Sequence, residues 1–189
     1  MEEKSDWADS GDRRVHRTRR AILSAFNNLV FTREFDDIRI PDILEAADVA
    51  RSTFYQYFRS KDDLLCAAMA PILQPLARAG SQAEPSLHLL AVAEHIWQNR
   101  RLGRTVFVGS TRTAIERQLA REIEPMLAEA HPVTSLPIAY IASVLAQWEI
   151  ASLHEWLGGR HRCDARSWAL ALCHGTRGLT SALTGIPRQ

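Results

Sequence analysis

The chain has 189 residues, 46% hydrophobic and 24% charged. That is enough to bury a real core in one large domain or in a small and a medium one. A net charge of +1 rules out a uniformly basic nucleic-acid binder, so any such surface must come from local clustering. No apolar run approaches the roughly 18 residues of a membrane helix. The polar, acidic opening is not that of a secretory signal, and cytoplasmic residence with no membrane partner is the expectation. Cys66, Cys163 and Cys173 show no CxxC pairing, so they read as small buried hydrophobes rather than a disulfide framework.

In chain order, residues 1–12 are polar and predict a disordered arm. From about Arg13 to Phe31 the pattern is helical. Ile22, Ala25, Phe26, Leu29 and Val30 form one apolar stripe. Arg13, Arg14, His16, Arg17, Arg19 and Arg20 make a basic cluster without an intervening acid. Pro41 suits the first turn of a second helix, with Ile40, Ile43, Leu44 and Ala47 facing inward. Asp48 lies where the chain must turn, and Asp tolerates the left-handed conformation better than most residues. A short third helix runs from about Ala50 to Tyr57. Phe54 and Phe58, four apart, share its buried side, leaving Arg51, Ser52, Tyr55 and Gln56 outside. Ser60 and Asp63 form a capping-box pattern before a longer helix from Lys61 to about Ala79. Pro71 and Pro75 inside it predict a kink or break near Ala70.

The remainder reads as helix throughout, over about 86–99, 102–108, 111–130, 136–157 and, after an Asp164 cap, 164–183. Gly158-Gly159 ends the 136–157 segment, a usual C-terminal signal. No segment alternates as a strand would. No GxSxG or nucleophile–base pair is present, which argues against an enzyme, and no catalytic residue or cofactor is expected. His154, His161 and Cys163 straddle the two glycines without tight ligand spacing, so no metal site is expected.

The second and third helices, joined by a tight turn, suit a helix-turn-helix whose second helix lies in the DNA major groove. Here the chain resembles a known family. Residues 13–65 are similar to the DNA-binding domain of TetR/AcrR-type transcriptional regulators. Ile43, Ala47, Val49, Thr53, Phe54, Tyr55, Tyr57, Phe58, Ser60, Lys61, Leu64 and Leu65 stand in register with that family's pattern. Asp48 replaces its usual turn glycine, Ser52 a glycine of the recognition helix, and Ile38 and Arg39 two threonines. The resemblance implies that Ala50, Arg51, Ser52 and Gln56 face base edges, with Arg51 the best guanine reader. It also implies that Thr53, Tyr55, Tyr57 and Lys61 hold phosphates, that Arg17 and Arg20 approach the backbone or minor groove, and that Arg39 takes a phosphate in place of the missing hydroxyl.

For the rest, the resemblance is architectural. It implies an all-α protein with an N-terminal three-helix helix-turn-helix domain (13–60) and a C-terminal helical domain (61–189) for ligand binding and dimerisation. The partners implied are palindromic double-stranded DNA, a small-molecule effector and a second copy of the chain. Effector binding would pivot the fourth helix, and repression is the expected direction of regulation. Aromatic and polar residues suited to an effector pocket are Trp97, Phe107, Arg112, Glu116 and Trp148. Ile138, Ile141, Leu145, Trp168, Leu172 and Leu179 are candidates for the dimer interface, or for a plain core stripe. The competing functional reading is an all-helical dimeric interaction protein that has lost DNA binding.

Overall fold

A computed structural model describes residues 6–159 and 163–185, with side chains from Val15 onward. The described residues hold helices and no strand. They divide into two units, 1–68 and 69–189.

In the first unit, α1 spans Asp6–Val30. It starts earlier than the periodicity predicts, inside the stretch expected to be an arm; residues 1–5 lie outside the described residues. Ile22, Ala25, Phe26 and Val30 are its buried stripe. A 3-10 turn, Phe35–Asp37, follows, and Phe35 buries its ring edge-on against Phe26. Helix α2 spans Ile40–Ala47. The Asp42 carboxylate accepts from the Arg39 backbone N–H at 2.7 Å, which satisfies a donor at the open helix end. Asp48 ends α2 at φ 50°, the left-handed conformation expected of it. Helix α3 is Arg51–Tyr57, held inward by Phe54, which has no exposed surface, and flanked by buried Phe58.

Helix α4, Lys61–Ala77, opens with the predicted cap. Ser60 Oγ accepts from the Asp63 N–H at 3.1 Å, while the Asp63 carboxylate reaches back to the Arg59 N–H at 2.9 Å. The helix runs unbroken through Pro71 and Pro75, so of the kink or break expected near Ala70 the break does not occur. Each proline removes one helix hydrogen bond, but Met69, Leu73 and Leu76 are buried along the same stretch, and burying that face offsets the loss. The division between units falls within α4. Its first turns belong to the first unit, where Lys61 bonds to the loop before α2.

The second unit holds the end of α4, a 3-10 turn (Ala79–Ser81), α5 (Leu87–Gln98), α6 (Arg100–Val106), α7 (Gly109–Ala130), α8 (Ile138–Gly158) and α9 (Ala165–Thr184). Helix α8 packs on α7, and α9 packs on α5, α8 and the 3-10 turn. Ser86 and Asp164 cap α5 and α9, each accepting from the N–H three residues on. Gly159 takes φ 69° at the end of α8. Arg104 on α6 donates to the Leu157 carbonyl at 2.6 Å, satisfying one of the last acceptors of α8.

Three tryptophans form a continuous stack in this unit. Trp156 of α8 lies between Trp97 of α5 at 5.0 Å and Trp168 of α9 at 4.5 Å. Two of the indole N–H groups donate within the unit. Trp156 donates to the Cys163 carbonyl at 2.9 Å and Trp168 to Ser152 Oγ at 3.3 Å.

Candidate nucleic-acid interface

Phe54 and Phe58 fix the roll of α3, and the rest of the helix is thereby turned outward. Ala50, Arg51, Ser52, Tyr55 and Gln56 are exposed, and Thr53 and Tyr57 are half-buried at its edges. The Arg51 guanidinium lies 5.6 Å from the centre of the Tyr55 ring, and that ring meets Phe54 edge-on. Tyr55 is therefore braced from below by the core while it supports Arg51 from the side. The result is one short helix face carrying a guanidinium, an amide, two aliphatic or hydroxyl groups and a phenol. These are the donor and acceptor types that read base edges and phosphates.

Arg17 and Arg20 on α1 are exposed, as is Arg39 ahead of α2. Arg19, which was not singled out from the sequence beyond its place in the cluster, has its guanidinium 5.7 Å from the centre of the Phe58 ring. It anchors α1 to the end of α3. The side chains of Arg13 and Arg14 lie outside the described residues.

Lys61 is placed differently from the other cations. Its ammonium donates to the carbonyls of Phe35 and Ile38, the latter at 2.9 Å, and lies 4.1 Å from the centre of the Phe35 ring. Two of its three donors are thus engaged by backbone of the same unit. The side chain ties the start of α4 to the loop between α1 and α2.

The five residues expected around an effector all lie in the second unit. Trp97 is in the indole stack, with Arg100 over it at 5.0 Å. Phe107 is buried. Arg112 and Glu116 bond to each other along α7 at 2.6 Å. Trp148 lies against Gly175 of α9, where an added Cβ would come within 2.3 Å of its ring. Two cavities among the described residues are lined by other side chains. One, of about 450 Å³, is bordered by Pro75, Arg78, Gln82, His88 and Cys173. The other, of about 100 Å³, is bordered chiefly by aliphatic side chains of α7 and α8 with Thr176 and Thr180 of α9. None of the five lines either one.

Of the six interface candidates, Ile141, Leu145, Trp168 and Leu172 are buried within the single chain, and Ile138 and Leu179 are half-buried. The buried side of α8 runs through Ile141, Leu145, Glu149, Leu153 and Leu157 at four-residue steps. This places a carboxyl inside the core. The position of Glu149, four residues after Leu145 and four before Leu153, is the signal the sequence carries for it.

Among the described residues no helix is long and apolar enough to cross a membrane, and no group of three metal-ligating side chains gathers. His161 lies outside the described residues.

Comparison with known proteins places the helix-turn-helix. Residues 22–68 match the family of bacterial regulatory proteins, tetR family. The HTH-type transcriptional regulator EthR of Mycobacterium tuberculosis is 33% identical over 136 residues, covering 66% of this chain and 58% of EthR. The chain thus spans less than two thirds of that relative's length. The dhaKLM operon transcriptional activator DhaS of Lactococcus lactis is 35% identical over 48 residues, 25% of this chain and 26% of DhaS. A TetR transcriptional regulator structure from Streptococcus agalactiae shares the fold, with a TM-score of 0.54 at 21% identity over 89% of this chain and 98% of the other. With the buried Phe54–Phe58 pair, the left-handed turn at Asp48 and the outward face of α3 inside it, the matched segment 22–68 is a helix-turn-helix of the tetR family of bacterial regulatory proteins.

Proposed function

We propose that the chain is a sequence-specific DNA-binding transcriptional regulator, a repressor released by a small-molecule effector. The observation that carries this reading is the exposed face of α3. Arg51, Ser52, Tyr55 and Gln56 project together from a helix whose roll is set by buried Phe54 and Phe58. Arg51 reads a guanine, Ala50, Ser52 and Gln56 meet neighbouring base edges, and Thr53, Tyr55 and Tyr57 hold phosphates. Arg17, Arg20 and Arg39 add phosphate or minor-groove contacts. Lys61 contributes its remaining N–H beside the start of α4, and its main task is to hold that helix in place.

The partners are a palindromic operator and a second copy of the chain, since a two-fold dimer matches a two-fold site. Because Ile141, Leu145, Trp168 and Leu172 are already covered, the dimer uses the outer sides of the last two helices. There Tyr140, Gln147, Ala171 and His174 are exposed. The effector binds in the second unit and favours one of two dimer conformations that differ in affinity for DNA.

Selection of bound duplexes from a random pool, repeated at two salt concentrations, tests the reading. Enrichment of one palindrome is the expected result. Arg51→Ala should weaken binding to it by about 1–3 kcal/mol and relax preference at one base position. Unrelated, salt-sensitive duplexes from the wild-type chain would instead support an interaction protein that has lost operator reading.

A further inference from the structure

Arg51 opens α3, and Tyr55 lies one helical turn further along the same face. The guanidinium is 5.6 Å from the centre of the Tyr55 ring, within cation–π reach. Tyr55 in turn meets the Phe54 ring at 5.4 Å and 88°, and Phe54 has no exposed surface. A chain of contacts thus runs from the core of the first unit, through a phenol ring, to the tip of an exposed arginine.

The kind of contact matters. Among the described residues no carboxylate pairs with Arg51, and α3 itself (Arg-Ser-Thr-Phe-Tyr-Gln-Tyr) contains no acid. An acidic neighbour would orient a guanidinium by occupying its N–H groups and offsetting its charge. A ring holds it by attraction to the π face and leaves the donors for a ligand. A long arginine side chain loses rotamer freedom when it settles on a base edge, and one already resting on a ring loses less. The paired donors that match O6 and N7 of guanine stay open meanwhile.

We propose that Tyr55 is a positioning residue for base reading: its ring holds the Arg51 guanidinium in the pose that meets a guanine edge. Tyr55 then has two separable tasks. Its ring governs which base is preferred, acting through Arg51, and its hydroxyl adds sequence-independent affinity at a phosphate. The inference rests on the reading of α3 as the base-reading helix, and deepens it by naming what sets the specificity of its arginine. Tyr55 is 44% exposed, so replacing it does not empty the core.

Wild type, Tyr55→Phe, Tyr55→Leu and Arg51→Ala, as full chains, test this in two ways. One is NMR relaxation of the Arg51 Nε–H in the free protein. The other is affinity for the selected palindrome and for a duplex changed at the base pair where Arg51→Ala relaxes preference. Tyr55→Phe should keep the wild-type ratio of the two affinities while binding both duplexes more weakly. Tyr55→Leu should lower that ratio by about two- to fivefold, and adding it to Arg51→Ala should lower it no further. The Nε–H should be ordered in wild type and Tyr55→Phe and mobile in Tyr55→Leu.

A role in stability alone would weaken both duplexes equally and leave the ratio unmoved. An unchanged ratio in Tyr55→Leu, an equal loss in Tyr55→Phe, or an Arg51 as mobile in wild type as in Tyr55→Leu would overturn the proposal. A wild type that selects no palindrome would overturn operator reading instead. The Nε–H comparison, made without DNA, still decides whether the ring orders Arg51.

Discussion

Lys61 Nζ donates to the Ile38 carbonyl at 2.9 Å, joining the first residue of α4 to the loop that precedes α2. With the second bond to Phe35, this makes the lysine a brace of the helix-turn-helix as much as a charge on its surface. Lys61→Met should therefore lower stability by about 1–3 kcal/mol, the cost of leaving two acceptors unmatched, as read from urea unfolding. The slope of log affinity against log salt should change less than for Arg17→Ala, where it falls by about 1. A salt slope altered by Lys61→Met with stability intact would identify a phosphate contact instead.

The turn between α2 and α3 rests on Asp48 at φ 50°. An L side chain in the left-handed region costs about 1–2 kcal/mol, and less for Asp. Asp48→Gly should raise the unfolding free energy by up to about 1 kcal/mol and leave DNA affinity unchanged. Asp48→Val should destabilise. Thermal unfolding of both variants checks the sign.

Gly175 is required by contact rather than by conformation. A Cβ there would lie 2.3 Å from the Trp148 ring, which the chain cannot accept without moving α8 or the indole. Gly175→Ala should cost about 1–3 kcal/mol through overpacking. Reducing the ring, as in Trp148→Leu, should restore part of that loss in the double variant, which a double-mutant cycle measures.

The Glu149 carboxyl sets a pH dependence of known sign. Its folded-state value of about 8 lies above its ordinary 4.5, so the folded chain holds the proton where the unfolded chain has released it. Its contribution to stability is fully present below about 4.5 and is lost as pH rises toward 8, with a slope of at most about 1.4 kcal/mol per pH unit. Glu149→Gln should remove that slope, so that the variant gains on the wild type between pH 5 and 8. Unfolding curves that stay parallel across that range would contradict the assignment.

The helix-turn-helix was legible because its determinants are local. Phe54 and Phe58 at four-residue spacing fix one side of α3, and Asp48 fixes the turn before it, so the outward residues follow from a stretch of about a dozen positions. Lys61 was legible as a cation and not as a brace, because its acceptors are backbone carbonyls 23 and 26 residues away, which no side-chain pattern announces. The second unit was legible as helices but not as an arrangement. Trp97, Trp156 and Trp168 come from three helices, and nothing in their spacing foretells a stack. On α8 a shift of one position separates the stripe through Trp148 from the one through Glu149, and period 3.6 admits both. The packing of α8 against α6, α7 and α9 selects between them.

The indole stack also gives the second unit an optical voice of its own. Rings 4.5 and 5.0 Å apart and nearly parallel couple their electronic transitions, so their near-ultraviolet circular dichroism depends on the mutual register of α5, α8 and α9. A molecule that shifts one of these helices would change that band without touching the backbone signal of the helices themselves. Occupancy of the second unit can thus be followed with no label added.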